Sequence, residues 1–173
     1  MKQQGVTLVE MLTTVAVLSI LLGIAVPGYG FLVSNTRLAG MTNQLSSALS
    51  YARSEAIKQG IRVSLCKSAS ANSSTPTCES GAGWQQGWLV FVDRGVIGEF
   101  EGTDRLLSVQ SHKPDNIIVS TTNFSTYASY LPSGVSQGPT HLATGSFHLC
   151  LAGNKRSLII NSTGRVRLIK DAC

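Results

Sequence analysis

Residues 5–28 read GVTLVEMLTTVAVLSILLGIAVPG, and this stretch decides how the rest of the chain is organised. Between Val6 and Val26 the only charged residue is Glu10. A helix rises about 1.5 Å per residue, so this segment would span about 30 Å, the hydrocarbon thickness of a bilayer. The sequence therefore predicts a membrane-spanning helix over residues 6–26, preceded by a short leader of residues 1–5.

A cleaved secretory signal peptide is the alternative interpretation of this terminus. Such a peptide has a shorter apolar stretch that ends at a small-residue cleavage site, and no Ala-x-Ala-like site closes the segment here. A carboxylate in lipid costs on the order of 2.5–3.5 kcal/mol. Glu10 therefore either lies shallow enough to stay hydrated or pairs with a positive group. The nearest candidate is the α-amino group of residue 6 on a neighbouring copy, freed by cleavage after Gly5.

The run Gly5-Val6-Thr7-Leu8-Val9-Glu10 resembles the processing site of type IV prepilins and pseudopilins. The resemblance implies that a prepilin peptidase cuts after Gly5 and methylates Val6. It also implies that Glu10 helps to recruit the subunit into a filament with other type IV pilins. That family usually has Phe after the glycine, where this chain has Val6, and Pro27 matches the family's usual helix kink.

The composition indicates one folded domain beyond this segment. Of 173 residues, 43% are hydrophobic and 13% are charged, which disfavours disorder. Seventeen glycines argue against an all-helical bundle, a coiled coil along the whole chain and a multi-pass membrane protein. The net charge of +5 permits an anionic partner. Lys2 in the leader fits an N-terminus in the cytoplasm, which would place the head, residues 27–173, outside it.

Helical spacing continues beyond the apolar segment and then gives way to strand patterns. The apolar residues of the helical stripe are Leu38, Met41, Leu45, Leu49, Ala52 and Ala56. With Gly60 as a helix stop, they predict one long helix over about residues 6–59, kinked near Pro27-Gly28. Predicted strands cover residues 62–67, 87–93, 105–110, 117–121, 126–131, 146–151, 156–161 and 165–170. Residues 68–86 and 132–145 are predicted loops, and Asn161-Ser162-Thr163-Gly164 is a predicted hairpin turn.

The four cysteines predict two disulfides, because an exported head lies in an oxidising compartment. Three pairings are possible. The favoured one joins Cys66 to Cys78, which closes a loop rich in Ser and Thr, and Cys150 to Cys173, which ties the C-terminus to the sheet. A metal site is the alternative. It is disfavoured because the chain has no Cys-x-x-Cys and its histidines show no ligand spacing with the cysteines.

Two stretches of the head resemble the GspH/FimT family of minor pilins and pseudopilins. One is the helix motif YARSEAIK at residues 51–58, and the other is the strand GWLVFVD at residues 87–93, preceded by Trp84. Cys66 and Cys150 also fall where that family places cysteines. The resemblance covers nearly the whole chain and implies an α+β class with the type IV pilin fold, a long N-terminal helix packed on an antiparallel sheet.

Enzyme motifs are absent from the sequence, which predicts neither catalysis nor a cofactor. It contains no Gly-rich phosphate loop, no His-Glu-x-x-His and no Gly-x-Ser-x-Gly. The acidic residues of segment 93–104 do not have the spacing of a calcium loop, and we interpret them as a solvated loop. Trp84 and Trp88 could stack on bases, but we predict that they pack inside the head.

The candidate binding residues lie near the C-terminus, where residues 150–170 include five basic residues and no acidic one. On a strand, Arg165 and Arg167 would project to one side, about 6.6 Å apart, while Val166 and Leu168 would face the core. That spacing is about two axial steps of a DNA strand. Guanidinium groups bind phosphate oxygens bidentately, and Gly164 would let the turn backbone approach the ligand.

The Gly-Arg-x-Arg pattern also resembles the DNA-binding motif of FimT-like minor pilins, which assigns Arg165 and Arg167 as DNA contacts. By charge alone, the auxiliary contacts are Lys113, Lys155, Arg156 and Lys170. The implied protein is a minor type IV pilin that binds exogenous DNA non-specifically and promotes its uptake in natural transformation. It would be anchored in the bacterial inner membrane, with its head in the periplasm and at the cell surface once in the pilus.

Three alternatives remain at this point. A structural minor pilin, or a type II secretion pseudopilin, would prime or cap a filament without binding DNA. An adhesin would use the polar loops to bind a surface ligand. The basic residues could also form a charged edge strand that only blocks aggregation.

Overall fold

The computed structural model describes residue 5, residues 7–112 and residues 116–173, with the side chains of residues 24–28 left aside. The chain forms two compact units, Met1–Arg37 and Leu38–Cys173. Helix α1 (Leu8–Gln59) begins in the first unit and ends in the second. The helix ends at Gln59, as predicted, because Gly60 directly after it takes a left-handed φ of 64°.

In the first unit, α1 begins with a capped turn. The Thr7 hydroxyl accepts a hydrogen bond from the Glu10 backbone N–H (3.3 Å). Among the residues that the structure describes, no helix is long and apolar enough to cross a membrane. The predicted span also includes Val6 and the side chains of residues 24–26, which lie outside the described residues. The kink near Pro27 stays a prediction.

In the second unit, the described residues form nine strands. They are β1 (Val63–Lys67), β2 (Gly87–Val92), β3 (Arg105–Ser111), β4 (Ile118–Thr122), β5 (Tyr127–Tyr130), β6 (Ser136–Gln137), β7 (Gly145–Leu151), β8 (Asn154–Ile160) and β9 (Val166–Ala172). Sheet 1 has the order β3-β2-β1-β5-β6 and sheet 2 the order β4-β7-β8-β9. Neighbouring strands are antiparallel in the pairs that the register defines. The predicted α+β class with a long N-terminal helix is confirmed.

The main core joins the helix to both sheets. All six residues of the helical stripe are buried, from Leu38 to Ala56. They share one cluster with inward-facing residues of sheet 1, such as Val90, and of sheet 2, such as Phe147 and Leu158. Each buried aliphatic side chain contributes about 1.5–3 kcal/mol. This burial holds the second half of α1 against the sheets.

The outer face of sheet 1 is covered as well, so β1 lacks the alternation of buried and exposed residues that a strand with one solvated face shows. Four of its five residues are buried. The reason is a second cluster of Cys66, Leu89 and Phe91, against which Phe100 and Tyr127 pack. Tyr127 begins β5, Phe100 lies in the loop after β2, and the loop before β2 adds Ala71 and Cys78 to the cluster. No local pattern in β1 indicates these contacts.

The cysteine pairs are those favoured from the sequence. Cys66 is bonded to Cys78, 12 residues away, and Cys150 is bonded to Cys173, 23 residues away. One strand was missed, because β6 has only two residues and lies inside the predicted loop 132–145. Such a short strand carries too few residues to show a period of two.

Candidate nucleic-acid interface

The turn that precedes β9 is fixed by Asn161. Its side-chain Oδ1 accepts hydrogen bonds from the N–H of Thr163 (3.2 Å) and the N–H of Arg165 (2.9 Å). The Gly164 N–H donates to the Asn161 carbonyl (2.9 Å). Asn is suited to this task because its short side chain can bond backbone groups two or more residues on. The backbone of Arg165 therefore has a defined position before any ligand arrives.

Gly164 has the positive φ that the sequence predicts, and its backbone lies against the backbone of Gly134. Its φ is 77°, and a Cβ built there would lie 2.0 Å from the Gly134 carbonyl oxygen. Gly164 is buried. On the side where a Cβ would project, the space is therefore filled by the backbone of Gly134, and the predicted approach of Gly164 to a ligand stays a prediction.

Arg165 and Arg167 are both exposed at the open edge of sheet 2. The strand begins at Val166, one residue later than predicted, so Arg165 belongs to the turn and strand alternation does not fix its direction. Arg167 pairs with Ile159 in the register, and β9 has a strand neighbour on one side, β8. An edge strand leaves side chains and backbone groups open to a partner.

Leu168 departs from the prediction that it faces the core. It pairs with Leu158, which is fully buried, so the two side chains share the inner face of sheet 2. Leu168 itself is 41% exposed. The position at the sheet edge explains the difference, since no further strand of the described chain pairs with β9. Val166 behaves as predicted and packs against the core.

The auxiliary cations are divided between the two faces of sheet 2. Lys170 pairs with Arg156 and therefore lies on the side of Leu168, whereas Lys155 pairs with Asp171 on the side of Arg167. The Lys155–Asp171 pairing sets a carboxylate beside one of the predicted contacts. Like charges directly opposite on adjacent strands, as in the Arg156–Lys170 pairing, repel each other. Lys113 lies outside the described residues.

The structure adds Arg53, which the sequence analysis did not select. Its Nε–H donates to the Gly134 carbonyl (3.0 Å) and its Nη2–H to the Thr163 carbonyl (2.9 Å). It thus joins α1 to both backbone segments that meet at Gly164. The contacts are 81 and 110 residues away in sequence, so no spacing could reveal them. The one signal was its place in the YARSEAIK motif.

Arg53 and Arg165 also line a common groove. This α1 groove has a volume of about 240 Å³. Its described lining residues are Ser50, Arg53, Ser54 and Ile57 of α1, with Gly164, Arg165 and Val166 from the β8–β9 connection and the start of β9.

On the face of sheet 2 that carries Arg167, three polar side chains of β7 and β8 are hydrogen-bonded to one another. His148 lies between two hydroxyls, with Nε2 2.8 Å from the Ser146 Oγ and Nδ1 2.8 Å from the Ser157 Oγ. Both serines are buried. Because a serine hydroxyl can donate or accept, the arrangement suits either tautomer of the ring.

The described residues give little support for base stacking by tryptophan or for a metal site. Trp84 and Trp88 are 3% and 1% exposed, so neither can stack on a base. No group of three or more His, Cys, Asp or Glu residues in the described chain could hold a metal ion. The acidic segment is not fully solvated as predicted, because Asp93 is 3% exposed and accepts hydrogen bonds from Ser64 and from the Gly98 N–H (2.9 Å).

Comparisons with known proteins agree with this architecture. Residues 41–164 match the family model described as type II transport protein GspH. The chain belongs to the GspH family. Residues 1–26 of this GspH-family chain match the prokaryotic N-terminal methylation motif, which places it in the type IV pilin superfamily.

Two crystal structures of the type IV minor pilin FimU of Pseudomonas aeruginosa resemble this GspH-family protein. The structure in space group P21 has a TM-score of 0.61 at 17% identity and aligns over 82% of this chain and 96% of its own. The structure in space group P65 has a TM-score of 0.57 at 18% identity, over 78% and 96%. This likeness shows the shared pilin fold. No curated protein matches the chain.

Proposed function

We propose that this GspH-family pilin binds DNA without sequence preference at the β9 edge and so promotes DNA uptake in natural transformation. The observation that carries the proposal is the pair of exposed arginines at an open edge strand, Arg165 in the turn before β9 and Arg167 within it. Contacts to phosphates carry no sequence information, so many sequences should bind equally. The proposed role is electrostatic capture and includes no catalysis.

The local order of the site favours such capture. Asn161 fixes the backbone of Arg165, and the pairing of β9 with β8 fixes that of Arg167. Binding therefore costs little further ordering of the backbone. The resemblance to the Gly-Arg-x-Arg motif of FimT-like pilins points to the same two residues.

A titration of labelled duplex DNA with the purified full-length chain in detergent tests the proposal. If three to five phosphates are neutralised, log K should fall with log salt at a slope of about −3 to −4.5. Charged hydrogen bonds contribute on the order of 1.5–3 kcal/mol each, so Arg165→Gln with Arg167→Gln should weaken binding well over tenfold. The matched control is Arg94→Gln with Arg105→Gln, which removes two exposed arginines elsewhere in the head. Equal losses in both double variants would contradict the proposed site.

Transformation frequency and pilus counts in the native host extend the test to cells. The Arg165→Gln, Arg167→Gln variant should lower transformation while pili still assemble. Loss of pili together with transformation would assign the arginines to assembly instead of capture.

A structural role is the second candidate, and two observations favour it. The matching family model is described as a type II transport protein, and the Gly164 backbone packs on Gly134. A protein of this kind would prime or cap a filament without binding DNA. A gene cluster that encodes a secretin of type II secretion would support it, whereas a cluster for pili and competence would support DNA uptake.

The proposed layout follows the N-terminal motif. Residues 1–5 are a leader that prepilin peptidase removes, residues 6–26 form the membrane and filament segment, and residues 27–173 form the head. Before assembly, the chain would cross the inner membrane once with its N-terminus in the cytoplasm and its head in the periplasm. In a pilus the head would reach the cell surface beside other type IV pilins.

A further inference from the structure

We propose that the α1 groove is a phosphate subsite, in which Arg53 and Arg165 together hold one phosphate of the nucleic-acid backbone. The inference rests on the proposed DNA-binding function and adds a second element, α1, to the interface. It assigns a binding role to a helix residue that the Gly-Arg-x-Arg pattern does not include.

The first argument is the unused hydrogen-bonding capacity of Arg53. A guanidinium group has five N–H donors in a fixed plane. The two hydrogen bonds that the structure describes, to the carbonyls of Gly134 and Thr163, use two of them. The same bonds hold the side chain, so little rotamer freedom is lost when an anion binds. Arg53 is also half-buried, and a partly dry site strengthens its attraction for a phosphate.

The second argument is the charge of the lining. Among the described lining residues there are two arginines, two serines and no carboxylate. The nearest acid along α1 is Glu55, whose carboxylate accepts hydrogen bonds from Gln59 and Lys58. The hydrogen bond from Gln59 lowers the pKa of Glu55. The groove is therefore positive. The Ser50 hydroxyl can donate to a further phosphate oxygen, whereas the Ser54 hydroxyl donates to the Tyr51 carbonyl (2.8 Å).

The third argument is that the groove is lined by apolar as well as charged side chains. Ile57 and Val166 line the groove beside the two arginines. A phosphodiester presents charged oxygens together with the carbon atoms of its sugars, so it can satisfy both parts of such a wall. Inorganic phosphate shares the charge but has no carbon atoms to place against Ile57 and Val166.

Two exposed serines allow a test that keeps the Arg53 side chain in place. Ser50→Glu and Ser54→Glu each place a carboxylate at the groove. The control is Asn43→Glu, the same added charge on an exposed position of α1 that does not line the groove. Asn43 is about two helical turns from Ser50, or roughly 10 Å, which exceeds the Debye length of about 8 Å at physiological salt.

Affinity for a short labelled DNA duplex is measured with the full-length chain. Each serine variant should weaken binding about three- to tenfold, and the control less than about twofold, because close like charges repel more strongly. In the Arg165→Gln background, Ser54→Glu should cost much less, since residues that share a ligand are not additive. Inorganic phosphate should compete weakly with the duplex in the wild type and less in the Ser54→Glu variant.

The outcomes separate the two proposals. Absence of DNA binding by the wild-type chain would overturn the proposed function itself. A second outcome is DNA binding that depends on Arg165 and Arg167 and yet weakens equally in Ser50→Glu, Ser54→Glu and Asn43→Glu. That result would overturn the phosphate subsite in the groove and leave the proposed function standing. If inorganic phosphate competes as strongly as unlabelled DNA at the same phosphate concentration, the groove binds a free anion instead of a phosphodiester.

Discussion

At Gly164, two stretches of backbone touch. A side chain there would need a left-handed φ, and its Cβ would meet the Gly134 carbonyl. The first effect costs about 1–2 kcal/mol, and the second forces the turn away from Gly134. The residue is therefore a structural requirement of the candidate interface, in addition to being part of its motif.

Gly164→Ala should lower the free energy of unfolding by more than about 2 kcal/mol, as strain and steric overlap combine. The control is Gly153→Ala, because Gly153 also has a positive φ, of 80°, but a Cβ at this position would meet nothing within 4 Å. That variant should lose only about 1–2 kcal/mol. Urea unfolding of both variants measures the difference, and equal losses would show that the Gly134 contact is relaxed in solution.

Asp93 should make stability depend on pH. Burial raises the pKa of Asp93, against the hydrogen bonds from Ser64 and Gly98. The folded chain then binds this proton more tightly than the unfolded chain, so the free energy of unfolding falls as pH rises from the ordinary carboxyl range through the raised pKa. Asp93→Asn cannot ionise, and over this window the wild type should lose stability relative to the variant.

Urea unfolding of wild type and Asp93→Asn between about pH 3 and pH 7 checks the sign of this dependence. Glu79→Gln supplies a control of opposite sign. The hydrogen bond from the Ser70 hydroxyl lowers the pKa of Glu79, so there the wild type should gain stability relative to the variant as pH rises. If the free energies of unfolding of wild type and Asp93→Asn depend on pH in the same way, the pKa of Asp93 is not raised in the folded chain.

Among the elements, β9 depends on its two ends. Asn161 and Arg53 hold the turn before it, and the Cys150–Cys173 disulfide closes the chain after it. β9 pairs with β8 along all seven of its residues, and on its other side it has no neighbour among the described strands. A helix residue and a covalent bond outside the strand therefore add to this pairing at the two ends of β9.

Replacing Cys150 and Cys173 by Ser should lower the free energy of unfolding by about 2–4 kcal/mol. The pair Cys66 and Cys78 closes a shorter loop, of 12 against 23 residues, so its replacement should cost somewhat less. Urea unfolding of both double variants measures these losses. Non-reducing peptide mapping of the wild type comes first, and four free thiols would contradict both bonds.

The elements that could be predicted are those with a local pattern. The α1 stripe, the end at Gly60 and the turn at Asn161–Gly164 follow from spacing and turn chemistry, and the structure confirms them. The burial of both faces of β1 could not be predicted, since it depends on loops distant in sequence. The Arg53 contacts could not be predicted either, because they join residues 81 and 110 positions apart in the sequence. Sequence patterns report periodicity along the chain, whereas these features depend on which backbone segments meet in space.

For the whole molecule, membership of the type IV pilin superfamily predicts processing at the N-terminus. A Cβ at Gly5 would meet nothing within 4 Å, and Val6 lies outside the described residues. Mass spectrometry of protein from the native host should find cleavage between Gly5 and Val6 and a methyl group on Val6. Gly5→Leu should abolish the cleavage without disturbing the head. An intact Met1, or a cut near residue 27, would refute the prepilin interpretation.

The two tied ends of β9 also have a mechanical consequence. A tether that pulls on the outer strand of a sheet normally peels it away, because its hydrogen bonds break one after another. Here a load on Arg165 would pass through Thr163 and Arg53 into α1, and a load on the far end would meet the disulfide to β7. Peeling has no free end at which to start. If the head is pulled while a ligand is bound to β9, this strand is thus protected from peeling away from β8.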